Sequence, residues 1–319
     1  MSCPLLLYGL PVLGIYALIS RYFRKRPHLL HIPQRFPRRC LHASHRGGSG
    51  ERIENTLGAF NNAMSQETDL LELDCHITKD GIVVVSHDEN LKRQTGHNIN
   101  IFKTDYKDLP QYKSALEVTF SPGKISYGTD RQIPPLEEVF KQFPETPINI
   151  EIKVDNDDLI NKIANLVQKY ERSHISIWAS FSDRILKKCQ KANKDMPFVF
   201  SGKRVIILYS LWYLGLLPFV PLKESFLEFV LPSIINRTYF PVKKGMLGSL
   251  LAKFITKATM HKQLFKHLED RGIQTLLWVL NEEKDIDEAF SYGVCGVISD
   301  YPTLLREYLD THPSPPFNL

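Results

Sequence analysis

At 319 residues, with 43% hydrophobic and 24% charged side chains, the chain has an ordinary globular composition and is long enough for one large α/β domain or two smaller ones. Its net charge of +5 is modest and largely local, which excludes the broad basic surface of a nucleic-acid-binding protein. The five cysteines have neither metal-site nor disulfide-framework spacing, which is typical of a protein from a reduced compartment.

The N-terminal segment, residues 1–22, predicts a transmembrane anchor. It carries no charged side chain before Arg21 and is apolar over about the 20 residues that cross a bilayer. The basic linker that follows, residues 23–39, holds six Lys and Arg and no acid, and we expect it to stay on the cytosolic side of the membrane. A secretory signal would carry its positive charge before the apolar run. Pro4 and Pro11 leave a shallow interfacial anchor as the alternative.

Strand and helix candidates alternate through residues 40–310, which we expect to form one barrel domain. A repeated β–α–β pattern with apolar strands is typical of a parallel sheet whose outer face is covered by helices. The predicted strands are residues 40–44, 70–79, 82–86, 146–154, 174–180, 197–201, 229–235, 275–281 and 295–300. The predicted helices are residues 51–66, 134–143, 157–170, 182–192, 262–272, 282–293 and 302–310, with Ser182 as an N-cap.

The number of strands favours a closed barrel. Residues 82–86 are the returning arm of a hairpin, and without them eight strands remain, as an α/β fold of the (β/α)8 TIM-barrel type requires. An open doubly wound sheet is the alternative, but the chain has no glycine-rich dinucleotide fingerprint to support it. Residues 89–133 are polar and lack periodicity, which predicts a small insertion after the second strand unit.

A second apolar run, residues 205–222, lies late in this pattern and contains no charged side chain. Its length alone predicts a transmembrane helix. A span at this point would place the last strands on the opposite side of the membrane from the first six, and the barrel could not close. We therefore interpret residues 205–222 as a membrane-associated segment that dips into the bilayer or lines an apolar entrance for a substrate.

The hairpin before the insertion carries the first candidate site. Asp80-Gly81 between two β-branched runs predicts a two-residue type I′ turn, which would place Asp74 opposite His87. Glu72 shares a strand face with Asp74, because strand side chains alternate with a period of two. Two carboxylates and an imidazole on one patch indicate a divalent-metal or acid–base site. The alternative is an exposed hairpin with incidental charges.

Further candidates lie at the ends of other strands, where barrel enzymes place their active sites. His45 and Arg46 end the first strand, and Glu151 and Lys153 share one face of the fourth. With the two hairpin carboxylates, Glu151 would complete a set of three that a hard cation such as Mg²⁺ or Ca²⁺ would neutralise. Two histidines could divide the base and acid roles, while Arg46 and Lys153 would bind an anionic, phosphate-like group. Each residue alone has a structural alternative, but their recurrence at strand ends favours a site.

These residues belong to motifs that together resemble the glycerophosphodiester phosphodiesterase family. The motifs are His45-Arg46-Gly47-Gly48, Glu51, Glu54-Asn55-Thr56, Glu72-Leu73-Asp74, Thr78-Lys79-Asp80-Gly81, His87-Asp88, Glu151-Ile152-Lys153, Trp278-Val279-Leu280-Asn281 and Ser299-Asp300-Tyr301-Pro302. The resemblance extends over about residues 40–310 and implies a (β/α)8 barrel with an insertion after the second strand unit. The two apolar segments make the chain similar to the membrane-anchored mammalian branch that acts as lysophospholipase D.

The resemblance also implies a role for each matching residue. The catalytic acid–base pair would be His45 and His87. The ligands of the divalent cation, Mg²⁺ or Ca²⁺, would be Glu72, Asp74, Glu151 and, in one alternative, His87. The substrate phosphate would be bound by Arg46 and Lys153.

The implied reaction cleaves lysophosphatidylcholine, lysophosphatidylethanolamine or N-acyl-lysophosphatidylethanolamine to lysophosphatidic acid and the head-group alcohol. The expected partners are this lipid substrate and a membrane, and nothing indicates a nucleic acid or a protein partner. We expect an intracellular membrane, endoplasmic reticulum or perinuclear, with the barrel facing the cytosol. The alternatives are hydrolysis of water-soluble glycerophosphodiesters to glycerol 3-phosphate, or a catalytically inactive membrane scaffold.

Overall fold

The computed structural model describes residues 9–235 and 246–312. Its strands are β1 (His42–Ser44), β2 (Leu70–Ile77), β3 (Val83–Val85), β4 (Ala115–Glu117), β5 (Ile125–Tyr127), β6 (Ile148–Glu151), β7 (Ser176–Ala179), β8 (Phe226–Val230), β9 (Gln274–Trp278) and β10 (Gly296–Ser299). Its α-helices are α1 (Leu10–Arg24), α2 (Leu57–Ser65), α3 (Lys92–Thr95), α4 (Leu136–Gln142), α5 (Asp157–Lys169), α6 (Asp183–Ala192), α7 (Gly202–Tyr213), α8 (Met246–Thr259), α9 (Lys262–Glu269), α10 (Glu283–Ser291) and α11 (Pro302–Thr311).

A curled parallel sheet forms the centre of the molecule. Its strands are hydrogen-bonded in the order β7–β6–β2–β1–β10–β9–β8. Residues 197–200 complete the circle, because Phe198 forms a parallel bridge to Trp178 of β7 and Val199 forms one to Phe226 of β8. Helices on the outer face follow the successive strands, as expected for parallel strands joined by right-handed crossovers. The structure confirms the predicted barrel architecture and excludes the open doubly wound sheet.

The hairpin register differs by one residue from the prediction. Strands β2 and β3 pair so that the backbone N–H of Ser86 donates to the carbonyl oxygen of Asp74 at 2.9 Å, and Asp74 does not lie opposite His87. The loop has three residues and ends at Gly81, whose φ is +83°, whereas Asp80 does not have a positive φ. The type I′ prediction was therefore wrong, since a three-residue loop that ends in a left-handed glycine also fits the twist of two strands.

Three predicted elements differ most from the observed bounds. The strand predicted at 229–235 lies at Phe226–Val230, because Pro232 starts a short 3₁₀ helix instead of continuing the strand. The helix predicted at 51–66 begins only at Leu57, since the Thr56 hydroxyl accepts the N–H of Ala59 as an N-cap. The strand predicted at 197–201 is reduced to the two bridges that close the barrel.

The predicted insertion, residues 89–133, forms a small cap at the end of the barrel from which the β2–β3 hairpin projects. It contains α3 and the antiparallel pair β4–β5. A separate apolar cluster lies beneath it, made of Ile53, Val84, Leu91, Ile101, Tyr112, Leu116 and Ile133. Because this cluster includes Val84 of β3 and Ile53 of the loop before α2, the insertion is fixed to the barrel and can place side chains over its open end.

The N-terminal helix α1 packs beside the chain that follows α7. The Tyr16 hydroxyl donates to the carbonyl oxygen of Leu214 at 2.5 Å, and the Ser20 hydroxyl donates to that of Gly215 at 2.7 Å. Residues 1–8 of the predicted anchor lie outside the described residues. Across residues 9–235 and 246–312, no helix combines the length and apolarity needed to cross a membrane.

Candidate active site

Three carboxylates converge at the carboxyl ends of β2 and β6. The two strands pair in parallel with Asp74 opposite Glu151, and Glu72 lies two residues earlier on the same face of β2. One oxygen atom from each of these three side chains lies within 4.8 Å of the other two. The structure thus brings together the carboxylates that the sequence singled out as metal ligands.

The charges around this cluster are unevenly distributed. Burial, reinforced by Asp74 and Glu151, raises the pKa of Glu72 well above its usual value. Burial also opposes ionisation of Asp74, but Lys153 and Arg46 outweigh it and hold the pKa of Asp74 well below its usual value. The Lys153 ammonium lies 2.5 Å from an Asp74 oxygen and 3.3 Å from a Glu151 oxygen. When no cation is bound, Glu72 is therefore the more readily protonated of the two β2 carboxyls and Asp74 the more acidic.

A tight loop after β1 positions the first predicted histidine and arginine. Gly47 and Gly48 have φ values of +77° and +92°, and Arg46 itself has a φ of +50°. A Cβ atom on Gly47 would lie 2.6 Å from the Phe60 ring, and one on Gly48 would lie 2.7 Å from Pro302. The two glycines are thus required for both backbone conformation and space, which explains the pattern His-Arg-Gly-Gly.

His45 is oriented by a network from the other end of the chain. Its Nδ1 lies 2.7 Å from an oxygen of Asp300, and its Nε2 lies 4.0 Å from Glu72. Asp300 also accepts hydrogen bonds from the Ser49 hydroxyl and from the Asn281 amide. Burial opposes ionisation of Asp300, but His45 and these donors lower its pKa below the usual value. An ionised Asp300 requires Nδ1 of His45 to carry a proton, which leaves Nε2 directed toward the carboxylate cluster.

His87, which lines the same cavity as His45, is held in the same way. Its Nδ1 lies 2.6 Å from an oxygen of Asp88, which in turn accepts a hydrogen bond from Arg93 at 2.7 Å. Burial lowers the pKa of His87, although Asp88 partly offsets this effect. His87 is therefore a neutral imidazole near neutral pH, with Nε2 free to accept a proton. The strand register predicted for His87 was wrong, but His87 still lines the cavity. Strand β3 ends at Val85, so the direction of the His87 side chain does not depend on the strand register.

Arg46 is more deeply buried than expected for a residue that binds a substrate phosphate. Only 2% of its surface is exposed. Its guanidinium lies 3.1 Å from Glu54 and 3.6 Å from Asp74. Glu54 also pairs with Arg93 at 2.6 Å. Burial opposes ionisation of Glu54, but the two arginines outweigh it and lower the pKa of Glu54 to about 2. Arg46 thus contributes positive charge to the cavity wall from within a buried ion network, whereas Lys153 has 31% of its side chain exposed.

All the predicted site residues line one cavity of about 260 Å³, apart from Asp74, which lies behind them. The opposite wall is apolar and aromatic, formed by Phe120, Phe181, Phe200 and Trp278. Deeper in the barrel, the Asn149 amide donates to a carboxylate oxygen of Glu228 at 2.8 Å. Burial raises the pKa of Glu228 to about 8. The cavity therefore has a charged wall suited to a phosphate and an apolar wall suited to a hydrocarbon group.

Several residues of this site were not assigned a role from the sequence. Asp88 and Asp300 each follow a strand end, and their position next to a predicted site residue or motif was a signal that could have identified them. Glu228 interrupts an apolar strand, which is a second such signal. No sequence pattern marks Phe120, because it reaches the cavity from the irregular insertion, 5.5 Å from His45 between ring centroids.

The carboxylate cluster fits a hard divalent cation. Its donors are all oxygen atoms, as Mg²⁺ and Ca²⁺ prefer, and no cysteine or histidine atom belongs to the three-member group among the described residues. A cation there would also offset the burial and the repulsion from Asp74 and Glu151 that raise the pKa of Glu72. Glu72, Asp74 and Glu151 would hold the cation, which would supply positive charge beside the phosphate oxygens of a substrate.

Known proteins are similar to this chain in sequence and in fold. Residues 45–304 match the model of the Glycerophosphoryl diester phosphodiesterase family. The chain is 52% identical over 308 residues to human Lysophospholipase D GDPD3, and the alignment covers 97% of each chain. It is 48% identical over 311 residues to human Lysophospholipase D GDPD1, and that alignment covers 97% of this chain and 98% of the relative. Its fold is similar to that of a putative glycerophosphoryl diester phosphodiesterase from Silicibacter pomeroyi DSS-3, with a TM-score of 0.64, 18% identity, and coverage of 87% of this chain and 95% of the other. The chain belongs to the glycerophosphoryl diester phosphodiesterase family.

Proposed function

We propose that the protein is a metal-dependent lysophospholipase D, which cleaves lysophospholipids to lysophosphatidic acid and the head-group alcohol. The main support is one arrangement: two histidines, each held through Nδ1 by an aspartate, lie in one cavity with a cluster of three carboxylates. The aromatic wall of the same cavity provides apolar surface for an acylated glycerol. Lysophospholipase D is also the name of two relatives that are about half identical over nearly the whole chain.

The reaction would begin with the free 2-hydroxyl of the substrate glycerol. His87, neutral because burial lowers its pKa, would accept the hydroxyl proton at Nε2 as the oxygen forms a bond to phosphorus. His45 would donate a proton from Nε2 to the leaving head-group oxygen as its bond to phosphorus breaks. Lys153 would stabilise the charge on the phosphate oxygens, and the buried Arg46 would add to the positive potential. Water would then open the cyclic phosphate to give lysophosphatidic acid.

The most useful test of this function compares three substrates on one metal-loaded preparation. We expect turnover of lysophosphatidylcholine to exceed that of glycerophosphocholine, because the aromatic wall binds an acyl chain. Turnover of diacyl phosphatidylcholine should be at least 10²-fold slower than that of lysophosphatidylcholine, because its 2-hydroxyl is blocked. A factor of about 10² is the smallest rate gain that a well-placed reacting group provides. Release of choline measures all three reactions. Rapid turnover of the diacyl lipid would refute the cyclic route.

The alternatives give different results in the same assay. An enzyme for water-soluble glycerophosphodiesters would prefer glycerophosphocholine and release glycerol 3-phosphate. A catalytically inactive scaffold would show no turnover of either compound with any divalent cation. The complete set of two histidines and three carboxylates is an argument against the scaffold, because Glu72 and Asp74 are buried close to Glu151 at an energetic cost that a bound cation would offset.

We further propose that residues 1–22 attach the protein to an intracellular membrane, with residues 205–222 against the bilayer and the barrel on the cytosolic side. The support comes from large apolar side chains of α1 that remain exposed, including Leu10, Leu13 and Leu18. We expect the full chain to stay with membranes during alkaline carbonate extraction, and protease added to intact microsomes should cleave the barrel. Release of the chain by carbonate, or protection of the barrel, would contradict the corresponding part of this proposal.

A further inference from the structure

A basic groove lies on the outside of the barrel, away from the cavity that holds the histidines and carboxylates. It runs between α1, the turn after α7, and α9, and has a volume of about 790 Å³. Its charged side chains are Arg21, Arg24, Lys25, Lys262, Lys266 and Asp270. This volume is in the range of small-molecule sites in proteins.

The positive charge of the basic groove is mostly uncompensated. Lys266 forms an ion pair with Asp270, one turn later on the same side of the chain. Arg21, Lys25 and Lys262 have no acidic partner among residues 9–235 and 246–312. Cations that converge without acids repel one another, so this arrangement favours an anion between them.

Two buried nitrogen atoms on the groove wall also lack hydrogen-bond partners. Nδ1 of His267 lies 2.8 Å from the carbonyl oxygen of Arg24, so it donates there, while Nε2 has no partner in the described part of the chain. Nε of Arg24 is likewise buried and unpartnered, although its guanidinium stacks over Trp212 at 4.1 Å. His267 is only 1% exposed. Buried polar atoms in folded proteins are nearly always paired, and because neither nitrogen is accessible to solvent, a water held behind a bound anion would supply the missing partners.

Exposed apolar side chains surround the basic groove. Tyr213 and Leu214 form part of its wall and are 60% and 63% exposed. On α1, the large exposed apolar residues are Leu10, Val12, Leu13, Ile15, Leu18, Ile19 and Tyr22. Cationic side chains next to exposed apolar ones are typical of a protein surface that lies in the membrane interface, with the charges at head-group level.

We propose that the basic groove is a second lipid site, which binds the head-group phosphate of an anionic membrane phospholipid. The basic carboxyl end of α1 and the first turn of α9 contact the phosphate, and the apolar side chains around them contact the hydrocarbon. This site is separate from the catalytic cavity and would hold the barrel in a defined orientation on the bilayer. It is independent of the lysophospholipase D reaction.

The test uses the full chain in phosphatidylcholine bicelles to which brominated phosphatidylglycerol is added. Bromine quenches tryptophan fluorescence on contact, and Trp212 lies beside the groove through its stacking with Arg24. We expect saturable quenching by the phosphatidylglycerol and much weaker quenching by brominated phosphatidylcholine. Trp212→Phe should remove the saturable component. Equal quenching by the two lipids, or an unchanged signal in Trp212→Phe, would overturn the proposal.

Paired lysine variants separate this site from general attraction to charge. Lys25→Ala with Lys262→Ala should weaken phosphatidylglycerol binding on the order of 30-fold, because each basic side chain near an anionic surface contributes about fivefold. Lys191→Ala with Lys194→Ala removes the same charge from two exposed lysines near the end of α6, and should leave binding unchanged. An equal loss in both pairs would overturn the site.

Two further measurements distinguish the outcomes. Inorganic phosphate at constant ionic strength should not displace the brominated lipid, and displacement would mean that the groove binds soluble phosphate instead. Turnover of lysophosphatidylcholine in detergent micelles should be the same in both lysine pairs and the parent chain. If the parent chain lacks turnover while the lipid titration behaves as expected, the proposed reaction fails and the groove proposal stands.

Discussion

Replacing His45 with alanine is expected to lower kcat by about 10²- to 10⁴-fold, with little change in KM. The physical reason is that His45 is one of two groups in the cavity placed to transfer a proton, and a positioned acid or base typically contributes that factor. The measurement is steady-state choline release from lysophosphatidylcholine with excess Mg²⁺ or Ca²⁺. Retention of more than a tenth of the parent kcat, in a variant with the parent melting temperature, would contradict the role of His45.

Asp300 provides a related variant that tests positioning. It does not line the reacting groups directly, but it holds Nδ1 of His45 at 2.7 Å. Asp300→Asn should lower kcat by about 10²-fold or more, because a neutral amide no longer orients His45 or stabilises the doubly protonated ring that donates from Nε2. Asp69→Asn is the matched control: this half-buried aspartate accepts the backbone N–H groups of Leu41 and His42 at the opposite end of the barrel. It should reduce stability without changing kcat.

The pH profile provides an independent readout of the second histidine. Burial lowers the pKa of His87, so His87 loses its proton at a lower pH than an exposed histidine does. Activity that needs neutral His87 is therefore retained until the pH falls below about 6.5, the ordinary histidine value. The acid limb of kcat/KM for the metal-loaded enzyme should lie below that value. An acid limb above it would contradict the assignment of His87 as the base.

Replacing Glu72 with glutamine should abolish both the activity and the stabilisation that divalent cations provide, while leaving the metal-free fold intact. Burial and the two neighbouring carboxylates raise the pKa of Glu72, so the metal-free protein favours a neutral group at this position. The backbone N–H of Arg46, which donates to Glu72 at 2.8 Å, still finds an acceptor in glutamine. The metal-free melting temperatures of parent and variant should therefore agree within a few degrees.

The parent chain should be stabilised by metal and inactivated by chelation. At about 100 times the dissociation constant, a cation that binds only the folded state adds about 2.7 kcal/mol, which corresponds to a rise of roughly 5–10 °C in melting temperature. Glu72→Gln should lose this rise together with activity. Glu228→Gln is the control, because Glu228 lies in the same cavity but outside the three-carboxylate group, and it should keep the metal-dependent rise. A full rise in Glu72→Gln would show that the cation binds elsewhere.

Much of the barrel could be predicted from local sequence patterns. Helix α6 begins where Ser182 predicts, because the Ser182 hydroxyl accepts the N–H of Ile185 within one turn. The carboxylates of β2 also follow from spacing alone, since Glu72 and Asp74 must share a face whatever the strand pairs with. Motifs that depend on a few neighbouring residues, such as the loop with Gly47 and Gly48, were likewise visible in the sequence.

Contacts across the barrel were decided only by the tertiary structure. His45 and Asp300 are 255 residues apart, and Asn149 meets Glu228 across the interior from strands that are not neighbours. Hydrophobic periodicity gives the direction of each side chain but neither the stagger between strands nor the length of a turn. One extra residue in the hairpin loop therefore changed the residue opposite Asp74 from His87 to Ser86. The sequence by itself therefore determined the candidate catalytic and metal-binding residues, and barrel closure decided which of them meet, because closure and stagger depend on packing among all eight strands.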